Sequence, residues 1–200
     1  MKKLILAAML LAVINAAPVH AGEWKVDDKH SQTVFTIEHI VGKVSGFFKE
    51  FHFPDKKMKS EISFDPQNPE QASLNLVINT WSIDTGIERR DKHLSTSDFF
   101  DCKKYPVITF KSEKVSKLEG GTFEAEGELT IKDVTQKVTV PFTFLGSEQH
   151  PTMDTQKAAL EARFNLDRFD YNVGTGKFKE LGLLGDDVCL TIYLEMFPKE

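Results

Sequence analysis

The sequence predicts an all-β domain whose antiparallel strands close into a barrel. Apolar and polar residues alternate with a period of two along most of the chain, the pattern of strands with one dry and one wet face. Inward positions mix Phe with Ala and Gly, as at Phe123, Ala125 and Gly127. Eight or nine strands with short connections leave a sandwich or a barrel, and this large–small mixture suits a tapering barrel that leaves space. The chain also holds 16 Phe against three Tyr and two Trp, so most of its aromatic surface carries no hydroxyl or indole N–H that needs a partner inside.

The first 21 residues are expected to be a secretory signal. Lys2 and Lys3 precede an apolar run over residues 4–17, and Val19-His20-Ala21 ends with the small residue that cleavage needs. The run is too short for a spanning helix, no Cys lies near the cleavage point to carry a lipid anchor, and no later stretch is long and apolar enough to span as a helix. Residues 22–200 are then one exported domain, long enough to bury a core unaided. The formal charge of the whole chain is −5, and losing the two leader lysines makes the rest more acidic still. That balance argues against nucleic acid, which demands a basic stripe, and against anionic lipid surfaces.

The strands follow in order. Residues 33–39 put Phe35, Ile37 and His39 on one face by parity. Residues 46–53, "GFFKEFHF", would carry aromatics on both faces if alternation were strict. A bulge near Lys49-Glu50 is therefore expected, turning Phe48 and Phe51 to the same side. Short strands are expected around Ile62 and Phe64 and over 74–78, where Leu76 and Ile78 face inward, with Ile83 just beyond. Residues 86–104 are the only helical or irregular stretch. Alternation resumes over 107–115 with Phe110, over 123–132 with Leu129, and over 138–144 with Phe142. The last two form a hairpin about Asp133-Val134-Thr135. Pro141 cannot donate to a ladder, so a local break in pairing is expected there. Residues 158–166 contain "KAALEAR", which could start a helix, but Ala158, Leu160, Ala162, Phe164 and Leu166 keep strand alternation. A last strand covers 188–196.

No catalytic constellation emerges. Arg90, Asp91, His93 and the nearby Ser95 and Ser97 lie too close in sequence for a triad, and no Gly-rich elbow accompanies them. The expectation is a structural one: Arg90, Asp91 and His93 fix the 86–104 segment over one barrel mouth, with Leu94, Phe99 and Phe100 pointing down as a lid. His30, His39 and His93 are expected to be satisfied polar residues rather than a metal site, since no ligand spacing is present. No cofactor is expected. Glu124, Glu126 and Glu128 share a solvated outer face. Cys102 and Cys189, in an oxidising compartment, are expected to pair, and a loop that long would stabilise by roughly 4–5 kcal/mol.

Several segments together closely resemble the YceI-like family of periplasmic polyisoprenoid-binding proteins: "DKHSQTVFTIEH", "VSGFFKEF", "ISFD", "SIDTGIERRDKHLSTSDFFDCKKYPVITFKS" and "GELTIKDVTQKVTVPF". The most specific part runs from Arg90-Asp91-Lys92-His93-Leu94 through Asp98-Phe99-Phe100 to Tyr105-Pro106 and Phe110. The resemblance implies an extended, eight-stranded lipocalin-like barrel holding one long-chain amphiphile, such as a polyisoprenoid, a fatty acid or a fatty amide, with no enzymatic step. It is also compatible with a homodimer. The cysteine pair and Lys137, where Pro is common, depart from the family pattern.

The energetics agree with such a cargo. About sixteen carbons at ~0.8 kcal/mol per buried CH₂ offer about 13 kcal/mol gross. An eight-unit isoprenoid would exceed roughly 30, beyond the ceiling of about 18 to 21 kcal/mol for any ligand, so ordering costs must absorb the excess. Affinity should rise with chain length and saturate, with weak discrimination by head group. Two alternatives stay open. An outer-membrane barrel is disfavoured by Lys and Glu along mid-strand and by the lack of aromatic girdles at strand ends, so no stable membrane insertion is expected. An exported barrel with a filled core, acting through its loops in stress or inhibition, would need the same Phe-rich interior without a void.

Overall fold

Period-two alternation in the sequence becomes inside–outside alternation in the strands. The clearest case is β8 (Phe123–Ile131), where Phe123, Ala125, Gly127, Leu129 and Ile131 are buried and the residues between them are not. The computed structural model describes residues 22–53 and 57–199, and the expected signal sequence lies outside them. Within those residues the other strands are β1 (Gly22–Val26), β2 (Gln32–His39), β3 (Gly42–Phe48), β4 (Glu61–Phe64), β5 (Ser73–Asn79), β6 (Ile83–Asp84), β7 (Val107–Lys117), β9 (Val134–Gln149), β10 (Gln156–Asp167) and β11 (Leu184–Pro198). Two short helices, α1 (Glu88–Leu94) and α2 (Lys177–Glu180), complete the elements used below.

Eight strands close a ring in the order β1, β4, β5, β7, β8, β9, β10, β11 and back to β1, every pair antiparallel. The barrel is therefore eight-stranded, and closure leaves its ring without a free edge. Its extension comes from β11. Near its C-terminal end, Met196 and Pro198 pair with Val26 and Trp24 of β1. Its N-terminal part pairs with β2 from Tyr193↔Gln32 to Leu184↔His39. The ribbon β2–β3–β6 continues the wall upward from there. Residues 158–166 are strand throughout, as alternation expects, and α1 falls inside the expected irregular segment.

Three local expectations need adjusting. The "GFFKEFHF" stretch does not bulge within a strand; β3 ends at Phe48 and the chain leaves the sheet. Ser82 Oγ accepts the backbone N–H groups of Lys49 and Glu50 at 3.1 and 3.3 Å, and the Glu50 carbonyl accepts from Asn79 at 2.9 Å. Side-chain hydroxyl and backbone of the β5–β6 connection thus replace the ladder. Phe48 and Phe51 are both buried, at 3% and 1% exposure.

Pro141 breaks only one of its two ladders. Pairing with β8 continues through Glu124↔Pro141, while pairing with β10 stops at Ala162↔Phe142, one residue short of the proline. The missing N–H is on the side where the ladder ends.

The cysteines are not bridged; both are free. Strand parity is the reason. On β11, Val188, Leu190 and Ile192 line the interior, so Cys189 between them faces outward, cross-strand from Asn165 and Thr36. Cys102 is completely buried within the 86–104 segment, its N–H bonded to the Ser95 carbonyl at 3.0 Å. Burial pushes its thiol pKa up, against the smaller pull of a bond from Thr80.

One glycine fixes the register of the wall. A Cβ on Gly127 would sit 2.3 Å from the Lys111 carbonyl oxygen, beside the β7 irregularity between Ser112 and Lys114. Only hydrogen fits there.

Candidate functional site

The barrel encloses a cavity of about 410 Å³ whose wall is almost wholly hydrocarbon. That lies within the ~300–1,000 Å³ of small-molecule sites. Beneath its lower end four phenyl rings pack together, of which Phe142 lines the space. Phe64 comes from β4 and meets Phe123, Phe142 and Phe144, from β8 and β9 on the far side of the ring, at centroid distances of 5.1, 5.4 and 5.4 Å. Phe123 and Phe142 stack on each other at 5.4 Å. Tilted and edge-on contacts of this kind are the favoured aromatic geometries. Just above this floor the wall narrows to small side chains, Ala125 and Ala162, so the space opens where the sequence alternates large with small.

The sequence-predicted residues gather here with three exceptions. Phe35, Ile37, His39, Phe48, Leu76 and Ile78 line the cavity from β2, β3 and β5. Phe110, Leu129, Phe142 and Phe164 line it from β7 to β10, and Leu94, Phe99 and Phe100 from the segment over the mouth. Phe51, Phe64 and Ile83 are buried but do not line it. Phe51 follows the strand end and packs behind the wall, its N–H donating to Asp28 Oδ1 at 2.8 Å. Phe64 belongs to the floor.

The segment over the mouth is held by Thr85. Asp91 accepts from the Thr85 N–H at 2.9 Å and from its hydroxyl. Arg90 donates through Nε to Thr85 Oγ1 and through Nη2 to the Thr85 carbonyl, each at 2.7 Å. Arg90 and Asp91 are therefore joined through Thr85 rather than paired directly. His93 faces Asp98 at 3.0 Å and packs against Phe99 and Phe178, ring centroids 5.2 Å from each.

The upper wall contains a feature the strand pattern does not predict. Above Phe142 no ladder pair joins β9 to β10 among the described residues. The 3₁₀ turn Arg168–Tyr171 packs against both strands and fills the gap, which brings Arg168, Tyr171 and Val173 to the cavity. Arg168 is 3% exposed. Its Nε donates to the Gly185 carbonyl at 2.8 Å and Nη1 to the carbonyls of Val173 and Gly174 at 2.9 and 2.7 Å. Among the described residues Nη2 has no hydrogen-bond partner; Asp186 Oδ1, on a largely exposed side chain, stands 3.9 Å away. Burial lowers the guanidinium's pKa, with Asp186 and Asp167 opposing, yet an arginine stays charged. Tyr171 is equally buried, which pushes its phenol up to about 12. Gly174, at φ +67°, makes the crossing possible: a Cβ there would lie 2.8 Å from both Arg168 Nη1 and the Phe99 ring.

Arg168 was invisible as a site residue because "DRFDYNVG" reads as a connection. The only hint is an Arg placed before Phe169 and Tyr171, directly after an alternating strand. His30 does not join His39 and His93. It lies on Asp27 at 2.7 Å, and Lys157 sits within the Asp27–His30–Glu195 group, 3.1 Å from Asp27 and paired with Glu195. The lysine ammonium occupies the charge role an ion would take.

Residues 24–196 match the model of the family described as the YceI-like domain. The chain is 32% identical to Protein YceI of Escherichia coli O157:H7, over 98% of this chain and 97% of that protein. Among solved structures it is similar to BcnA of Burkholderia cenocepacia, at 27% identity and TM-score 0.75, over 85% of this chain and 98% of that one. A polyisoprenoid binding domain from Saccharophagus degradans shares the fold at TM-score 0.63 and 15% identity, over 90% of this chain and all of that one.

Proposed function

The chain belongs to the YceI-like domain family, and on that premise we propose that it is a periplasmic carrier or sequestering protein that takes one long-chain amphiphile lengthwise into its barrel and does no chemistry on it. The observation that carries this reading is the void itself. A barrel that used its phenylalanines only as core would bring them into contact throughout, whereas they meet in one group at the floor and in pairs near the mouth, and leave about 410 Å³ between. The wall offers such a guest continuous hydrocarbon, and the polar side chains gather at the mouth, where the head of an amphiphile would rest.

The rim supports exchange. Ile40 and Val41, at the tip of the β2–β3 hairpin, are 68% and 99% exposed, and the Ile40 N–H bonds to the carbonyl of Leu183, itself exposed. Leu183 also lines the cavity, so an emerging chain would meet apolar surface before water. The polyisoprenoid binding domain from Saccharophagus degradans, which shares the fold, points toward polyisoprenoids; the geometry suits any slender chain.

Titration of the protein with saturated fatty acids of eight to twenty carbons tests the reading. Affinity should climb with each added methylene, at most by ~0.8 kcal/mol, and level off when the tail reaches the phenylalanine floor. Affinity independent of length would refute a lengthwise tunnel.

A further inference from the structure

We infer that the tunnel selects amphiphiles with an anionic head, a carboxylate or a phosphate, and seats that head against Arg168. The inference rests on the tunnel reading above and adds the chemistry of the head group to it.

Three observations converge. First, the ionisable side chains lining the cavity, apart from the phenol of Tyr171, are His39, Arg90, His93 and Arg168; among the described residues no Asp or Glu lines it. An apolar enclosure with cations and no acids in its wall favours negative charge and disfavours positive. Second, these groups all lie at the mouth end. His39 closes β2 against Leu184, Arg90 and His93 belong to α1, and Arg168 follows the top of β10. The opposite end is phenyl rings. Polarity thus sets an orientation, with the tail down and the head up.

Third, Arg168 is left incomplete. Three of its N–H directions are bound by the carbonyls of Gly185, Val173 and Gly174, which hold the fork, while Nη2, in a residue only 3% exposed, has no hydrogen-bond partner among the described residues. A buried donor without a partner is costly, and a charged one more so. Arg90 differs in burial: it is only half-buried, its Nε and Nη2 go to Thr85, and none of its nitrogens is among the buried donors left without a partner. Of the other buried polar atoms without a partner, only Thr33 Oγ1 lines the cavity, and it is a neutral hydroxyl. An oxyanion is the group that a fixed guanidinium binds best, through short charge-assisted bonds. Asp186, 3.9 Å away and open to solvent, neutralises Arg168 only in part and from outside the tunnel. This departs from the weak head-group discrimination expected of a purely hydrocarbon interior.

The test holds the tail constant and changes the head. Hexadecanoate, hexadecyl phosphate, hexadecanol and hexadecylamine are each titrated into the wild-type protein, Arg168→Lys, Arg168→Met and Arg90→Met. In the wild type the acid and the phosphate should bind about tenfold or more tighter than the alcohol, the effect of one charge-assisted bond, and the amine weakest. The ratio of acid to alcohol, taken within each variant, is insensitive to a general loss of stability. It should fall to near unity in Arg168→Met, be partly kept in Arg168→Lys and survive in Arg90→Met. Equal binding of all four ligands by the wild type overturns the inference while leaving the tunnel reading intact. A preference lost in Arg90→Met but kept in Arg168→Met overturns the assignment to Arg168. Binding of none of the four would instead strike the tunnel reading itself.

Discussion

Ala162→Trp should abolish tight binding of long chains while leaving short ones nearly untouched. Ala162 lines the cavity at its lower end, 4% exposed, cross-strand from Phe142 on one side and Ile192 on the other. An indole in that place projects into the space directly above the phenylalanine floor. If it excludes about four methylenes, a sixteen-carbon ligand loses ~3 kcal/mol, which is more than a hundredfold in affinity. An eight-carbon ligand, held nearer the mouth, should lose little. In a filled core the same change would overpack and destabilise the protein by roughly 1–3 kcal/mol. Here the indole enters existing space, so the melting temperature of the ligand-free protein should hold or rise. The chain-length titration, repeated on the variant, reads out the shift of the plateau toward shorter tails.

Phe64→Ala should be the most destabilising single change in the barrel. Its ring is 2% exposed and joins β4 to β8 and β9 across the ring through three aromatic contacts. Its carbonyl also accepts the Trp24 indole N–H at 3.2 Å, so the floor and the β1–β4 pairing share one residue. Deleting a buried phenyl of this kind costs about 3–5 kcal/mol. Equilibrium urea unfolding should show a lower midpoint with an unchanged slope, the mark of lost stability in an otherwise similar folded state. A change of less than about 1 kcal/mol would mean that the floor is loosely packed and the tunnel open at both ends.

Much of this architecture was legible because the side-chain period of a strand is two, and the interior positions of β8, β9 and β10 announce themselves by alternation. Ala158 to Leu166 illustrates the strength of the signal: helix propensity in "KAALEAR" lost to the pattern of five inward residues. What alternation could not supply is where a strand stops. Phe48 and Phe51 were expected on one bulged strand, but Ser82 takes over the backbone donors of Lys49 and Glu50, and the chain turns away. Nor could it place partners distant in sequence. Cys102 is buried in the segment over the mouth and Cys189 faces outward on β11, a relation that spacing in the sequence does not reveal. Arg168 shows the same limit. Its position depends on the ladder that Pro141 interrupts, on the gap this leaves between β9 and β10, and on a left-handed glycine six residues later.

The central claim is that the barrel carries a guest. Mass spectrometry under native conditions, on protein purified from its native host without detergent, addresses it directly. The account predicts a species heavier than the polypeptide by one long-chain amphiphile, recoverable in organic extract and displaced by added hexadecanoate. A mass equal to the bare polypeptide, with no lipid in the extract and no uptake of hexadecanoate on incubation, would contradict it.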